Sequence, residues 1–463
     1  MVRSSRQQDF LQFRQQFPFF VFEKQEYTLD ERGLSITFTF NLSDKYVFHP
    51  ALFIPRKGFF LQDEEILGNL DNIVFNLGMI EMVSYWKATC PPVVIICPFS
   101  LDKEQVAWWK KLYFKGLGEF FYLNEIDIRE DNFMEFDIRG IQHAKQVKPV
   151  EKWHGYASLS EVIIPVGGGK DSVVTLELLG GRPGCIPLIV NPRGASLETI
   201  AAKGFSREQL LEVKRTIDPE LLKLNELGFL NGHTPFSAML AFVTVLSAIL
   251  TGYRHIALSN ESSASEVTIE GTDINHQYSK SLLFESDFRE YVKQWISPDI
   301  NYFSFLRPLS ELQIASLFSQ FSQYHPVFKS CNAGSKTDTW CGHCAKCLFT
   351  YIILSPFLTR LQLVKIFNKD MFADESLKPL FDQLTGIAEE KPFDCIGTIR
   401  EVNVALCETI RRYKGCDMPN LLDYYMHSQT FTIYNKVDFR SELSQYSGKH
   451  YLLPEFFNVL GLS

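Results

Sequence analysis

A chain of 463 residues is long enough for two or three domains, and 46% apolar residues are ample for their cores. A net charge of −8 with no dense Lys/Arg run argues against broad nucleic-acid binding. The start, MVRSSRQQDF, is polar and basic with no apolar core behind it, so the ten cysteines point to a reducing cytoplasm and to thiols or metal ligands rather than a disulfide frame. The longest apolar run, Pro235 to Leu250, is interrupted by Ser237, Thr244 and Ser247. It falls short of the roughly 18–20 residues of a membrane span, which predicts a buried helix and no membrane partner.

Residues 1–155 read as a mixed α+β domain. Leu34, Ile36, Phe38 and Phe40 alternate with Ser35, Thr37 and Thr39, the period of a half-buried strand, and Asp30 to Gly33 supplies the turn that pairs it with Phe20-Val21-Phe22. Ile66, Leu70, Ile73, Leu77 and Ile80 recur at helical spacing behind Asp63-Glu64-Glu65, whose carboxylates suit the positive end of a helix. Val93 to Cys97 predicts a short buried strand. Trp108 and Trp109 are large enough to stack a uridine or sugar ring, but paired aromatics more commonly serve core or surface packing, and no chemistry is assigned here.

Between residues 156 and 357 the pattern becomes strand, helix, strand. That is the order of a parallel α/β domain, whose ligands sit at the carboxyl ends of strands. Ile163-Ile164-Pro165-Val166 runs into Gly167-Gly168-Gly169-Lys170-Asp171-Ser172 and then a helix ending at Leu179. Glycines let the backbone turn tightly and approach a ligand, and the helix start aims N–H groups and a positive dipole end at an anion. Lys170 adds a mobile charge. The Walker pattern needs Ser or Thr where Asp171 stands, and the dinucleotide pattern needs Gly where Ser172 stands. The loop resembles the PP-loop of ATP pyrophosphatases, with Gly167 in place of its first serine; the plainer reading is a glycine-rich strand-to-helix turn.

Ile186 to Val190 forms the next strand and delivers Asn191 as a further nucleotide-site candidate. After His233, Thr234 and Pro235 predict a cap and an opening residue for the apolar helix. Two polar clusters follow strand or helix ends: Ser259-Asn260-Glu261-Ser262-Ser263 and Asn275-His276-Gln277-Tyr278-Ser279-Lys280-Ser281. Substrate contact is expected there, through Asn260, Glu261, Asn275 and Ser279 together with His233, although either cluster alone would read as a loop.

Cys331 and then Cys341-x-x-Cys344-x-x-Cys347 place four thiols within a short span, enough to close a tetrahedral thiolate site, with His343 as a substitute ligand. Structural zinc is the preferred reading. The alternatives are an iron–sulfur cluster or four buried free cysteines, and a similar layout is a zinc site in the PP-loop enzyme 7-cyano-7-deazaguanine synthase. Residues 358–463 read as a helical region, with helices at Leu358 to Phe367 and Arg400 to Arg412.

The glycine loop, His233-Thr234-Pro235, Ser259-Asn260-Glu261, Asn275 to Ser281, Leu306-Arg307-Pro308-Leu309-Ser310-Glu311-Leu312, Ser330-Cys331-Asn332 and Lys391-Pro392-Phe393-Asp394-Cys395 together resemble one family. It is the UDP-N-acetyl-alpha-D-muramoyl-L-alanyl-L-glutamate epimerase family, and the likeness is densest from about residue 160 to 400. The resemblance implies a PP-loop (adenine nucleotide alpha hydrolase-like) α/β fold and a bacterial cytoplasmic isomerase. Such an enzyme uses ATP to invert the terminal glutamate of a nucleotide-sugar dipeptide, UDP-MurNAc-L-Ala-L-Glu, releasing AMP and pyrophosphate. The glycine loop and Lys170 would then hold pyrophosphate, Asp171 would place Mg²⁺, Arg307 would pair with a substrate carboxylate or phosphate, and His276 and Lys280 would carry protons. Two other classes fit the loop: an amidating or base-modifying PP-loop enzyme, marked by a need for glutamine or ammonia, and a non-catalytic nucleotide-binding protein.

Overall fold

The structure is a computed structural model of the chain and describes residues 5–137, 145–146, 161–265, 275, 277–331, 333–389, 392, 394, 396–413 and 417–462. The candidates His276, Asn332, Lys391, Phe393 and Cys395 lie outside these residues. Two compact units are each assembled from three stretches of chain. Residues 1–163, 208–256 and 277–302 form the first, and residues 164–207, 257–276 and 303–463 the second. The strands among the described residues are β1 Phe19–Asp30, β2 Gly33–Leu42, β3 Tyr46–Phe48, β4 Ala51–Pro55, β5 Val93–Ile96, β6 Phe99–Ser100, β7 Glu135–Asp137, β8 Lys145–Gln146, β9 Val162–Pro165, β10 Cys185–Val190, β11 Leu211–Thr216, β12 His255–Leu258 and β13 Asn301–Ser304.

In the first unit β11, β4, β2, β1, β5 and β7 lie side by side in that order, with β3 on β2, and β6 pairs separately with β8. The predicted hairpin is present: β1 and β2 are antiparallel and close over Asp30 and Gly33, while β5 runs parallel to β1 and β7. Alternation along these strands sends Phe20, Phe22, Leu34, Ile36, Phe38 and Phe40 into the core, all at 1% exposure or less. The helix Asp63–Trp86 packs on β1 and β2, and Gly78 is required at the contact because a Cβ there would stand 2.2 Å from the Phe22 ring. Trp109 is fully buried, stacked on Phe242 and donating its indole N–H to the Tyr291 hydroxyl, and Trp108 stacks on Tyr291 with centroids 4.0 Å apart. Trp109 is therefore core and Trp108 a half-buried packing residue.

The apolar helix runs Phe236–Thr251, and its entry differs from the sequence expectation. Pro235 precedes the helix with φ −72° and ψ 69°, and the Phe236 N–H reaches the Thr234 carbonyl at 2.7 Å. This is an inverse γ-turn. The backbone carbonyl of Thr234, not its hydroxyl, takes the first amide, because the tight turn brings that carbonyl nearer.

The strands β13, β12, β9 and β10 are neighbours in that order, β12 and β9 being parallel with His255 opposite Val162 and Ile256 opposite Ile163. β9, β10 and β12 are almost continuously buried Val, Ile, Leu and Ala, the pattern of strands covered on both faces. Beyond β9 the second unit continues into the helices Lys170–Leu179 and Gly194–Ala202, and later Glu311–Gln320, Ala345–Leu354, Arg360–Phe367 and Ile399–Arg412. The last two start within two residues of the predicted helices. Among the described residues no helix is long and apolar enough to cross a membrane.

Candidate functional site

At the carboxyl end of β9, the Val166 N–H donates to the Leu188 carbonyl at 2.8 Å, after which the chain leaves the sheet. Gly168 adopts φ +84°, a left-handed conformation that favours glycine, and its Cα stands against the Ala195-Ser196 backbone, where a Cβ would meet Ser196 N at 3.0 Å. The Ser172 hydroxyl accepts the Gly168 N–H at 3.2 Å and donates to the Gly169 carbonyl at 2.9 Å, bracing the turn from inside. Gly167 faces open space. The helix begins at Lys170 with Gly169 as its N-cap, which has no side chain to close the terminus.

Lys170 is not the mobile charge expected from sequence. It is 4% exposed, and its ammonium is ion-paired with Asp171 and Glu311. Burial alone would lower its pKa, but the two carboxylates outweigh burial and raise it. Glu311 shows the reverse balance: burial pushes its pKa well above the usual carboxylate range, with Lys170 opposing. Glu311 is the first residue of its helix, which starts with a capping box between Ser310 and Gln313. Its backbone N–H donates to the Glu401 carboxylate at 2.7 Å, and Glu401 also accepts the Thr398 N–H at 2.7 Å. Glu401 is itself driven upward by burial, with those amides opposing.

At the end of β12, Glu261 is 6% exposed, and one carboxylate oxygen each from Asp171, Glu261 and Glu311 lies within 4.8 Å of the others. Arg307, 2% exposed, directs its guanidinium to the Glu261 carbonyl at 2.5 Å and the Ser304 hydroxyl at 3.1 Å, and Asn260 donates to that same hydroxyl at 3.0 Å. Strand ends β9, β12 and β13 thus contribute to one polar network in the second unit. Asn191, at the end of β10, has φ +49°, and Asn275 donates to the Ala264 carbonyl at 3.1 Å.

The four cysteines converge as the spacing predicts. Their sulfurs are 3.9 Å apart for Cys331 and Cys344, 3.6 Å for Cys341 and Cys347, and 3.4 Å for Cys344 and Cys347. Thiolates bound tetrahedrally at about 2.3 Å would be about 3.8 Å apart, so the set fits a zinc-sized ion. Cys331 also accepts N–H groups from Gly334 and Cys341, and the hydrogen bond with Cys347 pushes the Cys344 thiol down to about 4. His343 is not part of the cluster: its ring is exposed and Nδ1 meets the Cys341 carbonyl at 2.9 Å. The knuckle also touches the glycine loop, because the Lys329 N–H donates to the Gly168 carbonyl at 2.8 Å and Ser330 packs on Gly169.

The remaining candidates belong to the first unit. His233 Nδ1 is 3.3 Å from the Glu119 carboxylate, Ser279 is buried, and Lys280 ends the short turn Tyr278–Lys280. Sequence reasoning gave no role to Glu311, Glu401 or Asp338. For the first two the available signals were S-x-x-Q and T-x-x-E capping patterns, which announce helix starts but not the partner of a carboxylate.

These features define a mixed α/β protein with a glycine-rich strand-to-helix loop, a buried lysine between carboxylates and a four-cysteine knuckle. Comparison with known proteins then narrows the class. Residues 12–305 match the MurL N-terminal domain and residues 327–430 the MurL C-terminal domain, and the chain belongs to the MurL family. Relatives named UDP-N-acetyl-alpha-D-muramoyl-L-alanyl-L-glutamate epimerase occur in Xanthomonas oryzae pv. oryzae, Micromonospora sp. and Salinispora tropica, each 35% identical. The matches cover 71%, 76% and 74% of this chain and 72%, 78% and 74% of the relatives. No solved structure gives a significant match.

Proposed function

We propose that the protein is an isomerase that inverts the terminal L-glutamate of UDP-MurNAc-L-Ala-L-Glu in peptidoglycan precursor synthesis, using ATP on a PP-loop site in the cytoplasm. The likeness to epimerases over about three quarters of the chain carries the substrate. The ATP reading is supported by the open helix terminus at Lys170 beside three converging carboxylates.

Removing the α-proton beside a free carboxylate would create a dianion, and a general base contributes only about 10²- to 10⁴-fold. Activation removes that obstacle. The glutamate carboxylate attacks the α-phosphorus of ATP and expels pyrophosphate, giving an acyl-adenylate whose α-hydrogen is far more acidic. One group takes that proton and another returns one to the opposite face; water then cleaves the acyl–phosphate bond, releasing AMP and the inverted carboxylate. In this reading Gly167, Gly168, Gly169, Lys170 and Ser172 receive the polyphosphate. Asp171, Glu261 and Glu311 provide the hard oxygen donors suited to Mg²⁺, which would neutralise phosphate charge. Arg307, held by the Glu261 carbonyl and the Ser304 hydroxyl, would pair with a substrate carboxylate or phosphate, and His276 and Lys280 are the proposed proton carriers. Zinc on Cys331, Cys341, Cys344 and Cys347 would be structural, since four protein ligands leave no open position.

Incubation with ATP and UDP-MurNAc-L-Ala-L-Glu tests the reaction. D-Glutamate, AMP and pyrophosphate are expected, with deuterium from D₂O at the glutamate α-carbon only; ADP and phosphate would overturn the adenylate route. Elemental analysis should find one zinc per chain, and less than about a tenth of an equivalent in active protein would remove the metal.

A further inference from the structure

Two helices of the second unit begin beside the glycine loop, and their termini are finished differently. The Lys170–Leu179 helix opens at Gly169 with no side-chain cap. The Gly194–Ala202 helix also lacks a capping side chain on its own N-cap residue, Arg193, yet its first two amides are satisfied from a distance. The Asp338 carboxylate accepts the Gly194 N–H at 3.1 Å and the Ala195 N–H at 3.0 Å, across 144 and 143 residues of sequence. The fit is close: a Cβ on Gly194 would stand 2.5 Å from the Asp338 carboxylate. Asp338 itself has φ +51°, a conformation that Asp and Asn tolerate better than most residues. The turn it caps is the surface on which Gly168 rests.

We infer that Asp338 is a positioning residue for the nucleotide loop. Its carboxylate already occupies the positive end of the second helix, so an incoming phosphate is directed to the first, and it holds the Gly194-Ala195-Ser196 turn that supports Gly168. Cys331 and Cys341 flank Asp338 in sequence, so the cysteine knuckle presents this carboxylate as well as the Lys329 amide that binds Gly168.

The inference rests on the nucleotide reading for its consequence but not for its test. In Asp338→Ala, amide hydrogen exchange should quicken in peptides spanning both Val166–Ser172 and Asn191–Ser196, with zinc content unchanged. Asp338→Asn, which tolerates the backbone but keeps only one of the two acceptor oxygens, should restore part of the protection. In turnover assays Asp338→Ala should raise the KM for ATP about tenfold with kcat little changed, the scale of one charge-assisted hydrogen bond. Loosening confined to Asn191–Ser196, or a loss of kcat at constant KM in proportion to unfolded protein, would overturn the inference. If the unaltered protein releases no pyrophosphate, the ATP proposal falls, while the exchange data still decide the role of Asp338.

Discussion

Two buried lysines behave in opposite ways. Lys87 in the first unit is 7% exposed and donates to the Gly232 carbonyl; Lys170 in the second is 4% exposed and pairs with Asp171 and Glu311. Burial lowers the Lys87 pKa to about 8, while the two carboxylates drive that of Lys170 upward in spite of burial. Burial depth is nearly the same in the two cases, so the partner decides. A carbonyl dipole satisfies the hydrogen bond but leaves the charge costly, whereas anionic partners stabilise the charge at the site where phosphates are proposed to arrive.

The contrast breaks most severely at Lys170. Lys170→Met should reduce substrate-dependent pyrophosphate release on the order of 10²- to 10³-fold, as expected for loss of a preorganised charge, and unchanged release would detach the lysine from the chemistry. Lys87 is the next test. Its folded pKa of about 8 lies below the ordinary 10.5, so the unfolded chain binds more protons between these values and stability rises with pH across that window. The rise is up to about 3 kcal/mol, at about 1.4 kcal/mol per unit. Lys170, shifted upward, contributes stability that is complete below 10.5 and adds no slope there. Urea midpoints should therefore climb more steeply in the parent protein than in Lys87→Met, and equal slopes would show that the Lys87 ammonium is not destabilised. The smallest effect is expected from Glu311→Gln, which keeps the shape but leaves Lys170 with one anionic partner. Its kcat/KM for ATP should fall about tenfold, and a rise would mean that Glu311 restrains the lysine rather than presenting it.

What was legible in the sequence was what neighbouring residues specify. The strand into Gly167-Gly168-Gly169, the helix after it, the hairpin over Asp30 to Gly33 and the cysteine knuckle each lie within a short span, and their spacing encodes their geometry. The partners of Lys170 and of the Gly194 terminus were not legible. Glu311 is 141 residues from Lys170, and its local context, a serine capping box, accounts for a helix start without revealing the carboxylate's direction. Asp338 likewise looks like one polar residue in a Thr-Asp-Thr loop. Thr234 failed for a local reason: a cap and a γ-turn compete for the same amide, and the shorter ring won.

The path of the chain carries one more consequence, for anyone wishing to cut the gene. The backbone leaves one unit for the other after residues 163, 207, 256, 276 and 302. A fragment ending at 163 would lack the strand Leu211–Thr216 that hydrogen-bonds to Ala51–Pro55, and the helix Phe236–Thr251 that packs on Asp63–Trp86. Its complement would be missing the first two residues of the strand that launches the glycine loop. The first piece lacks part of its core and the second carries residues 208–256 and 277–302 without the rest of their unit, so separately expressed halves should be insoluble and regain structure only when produced together.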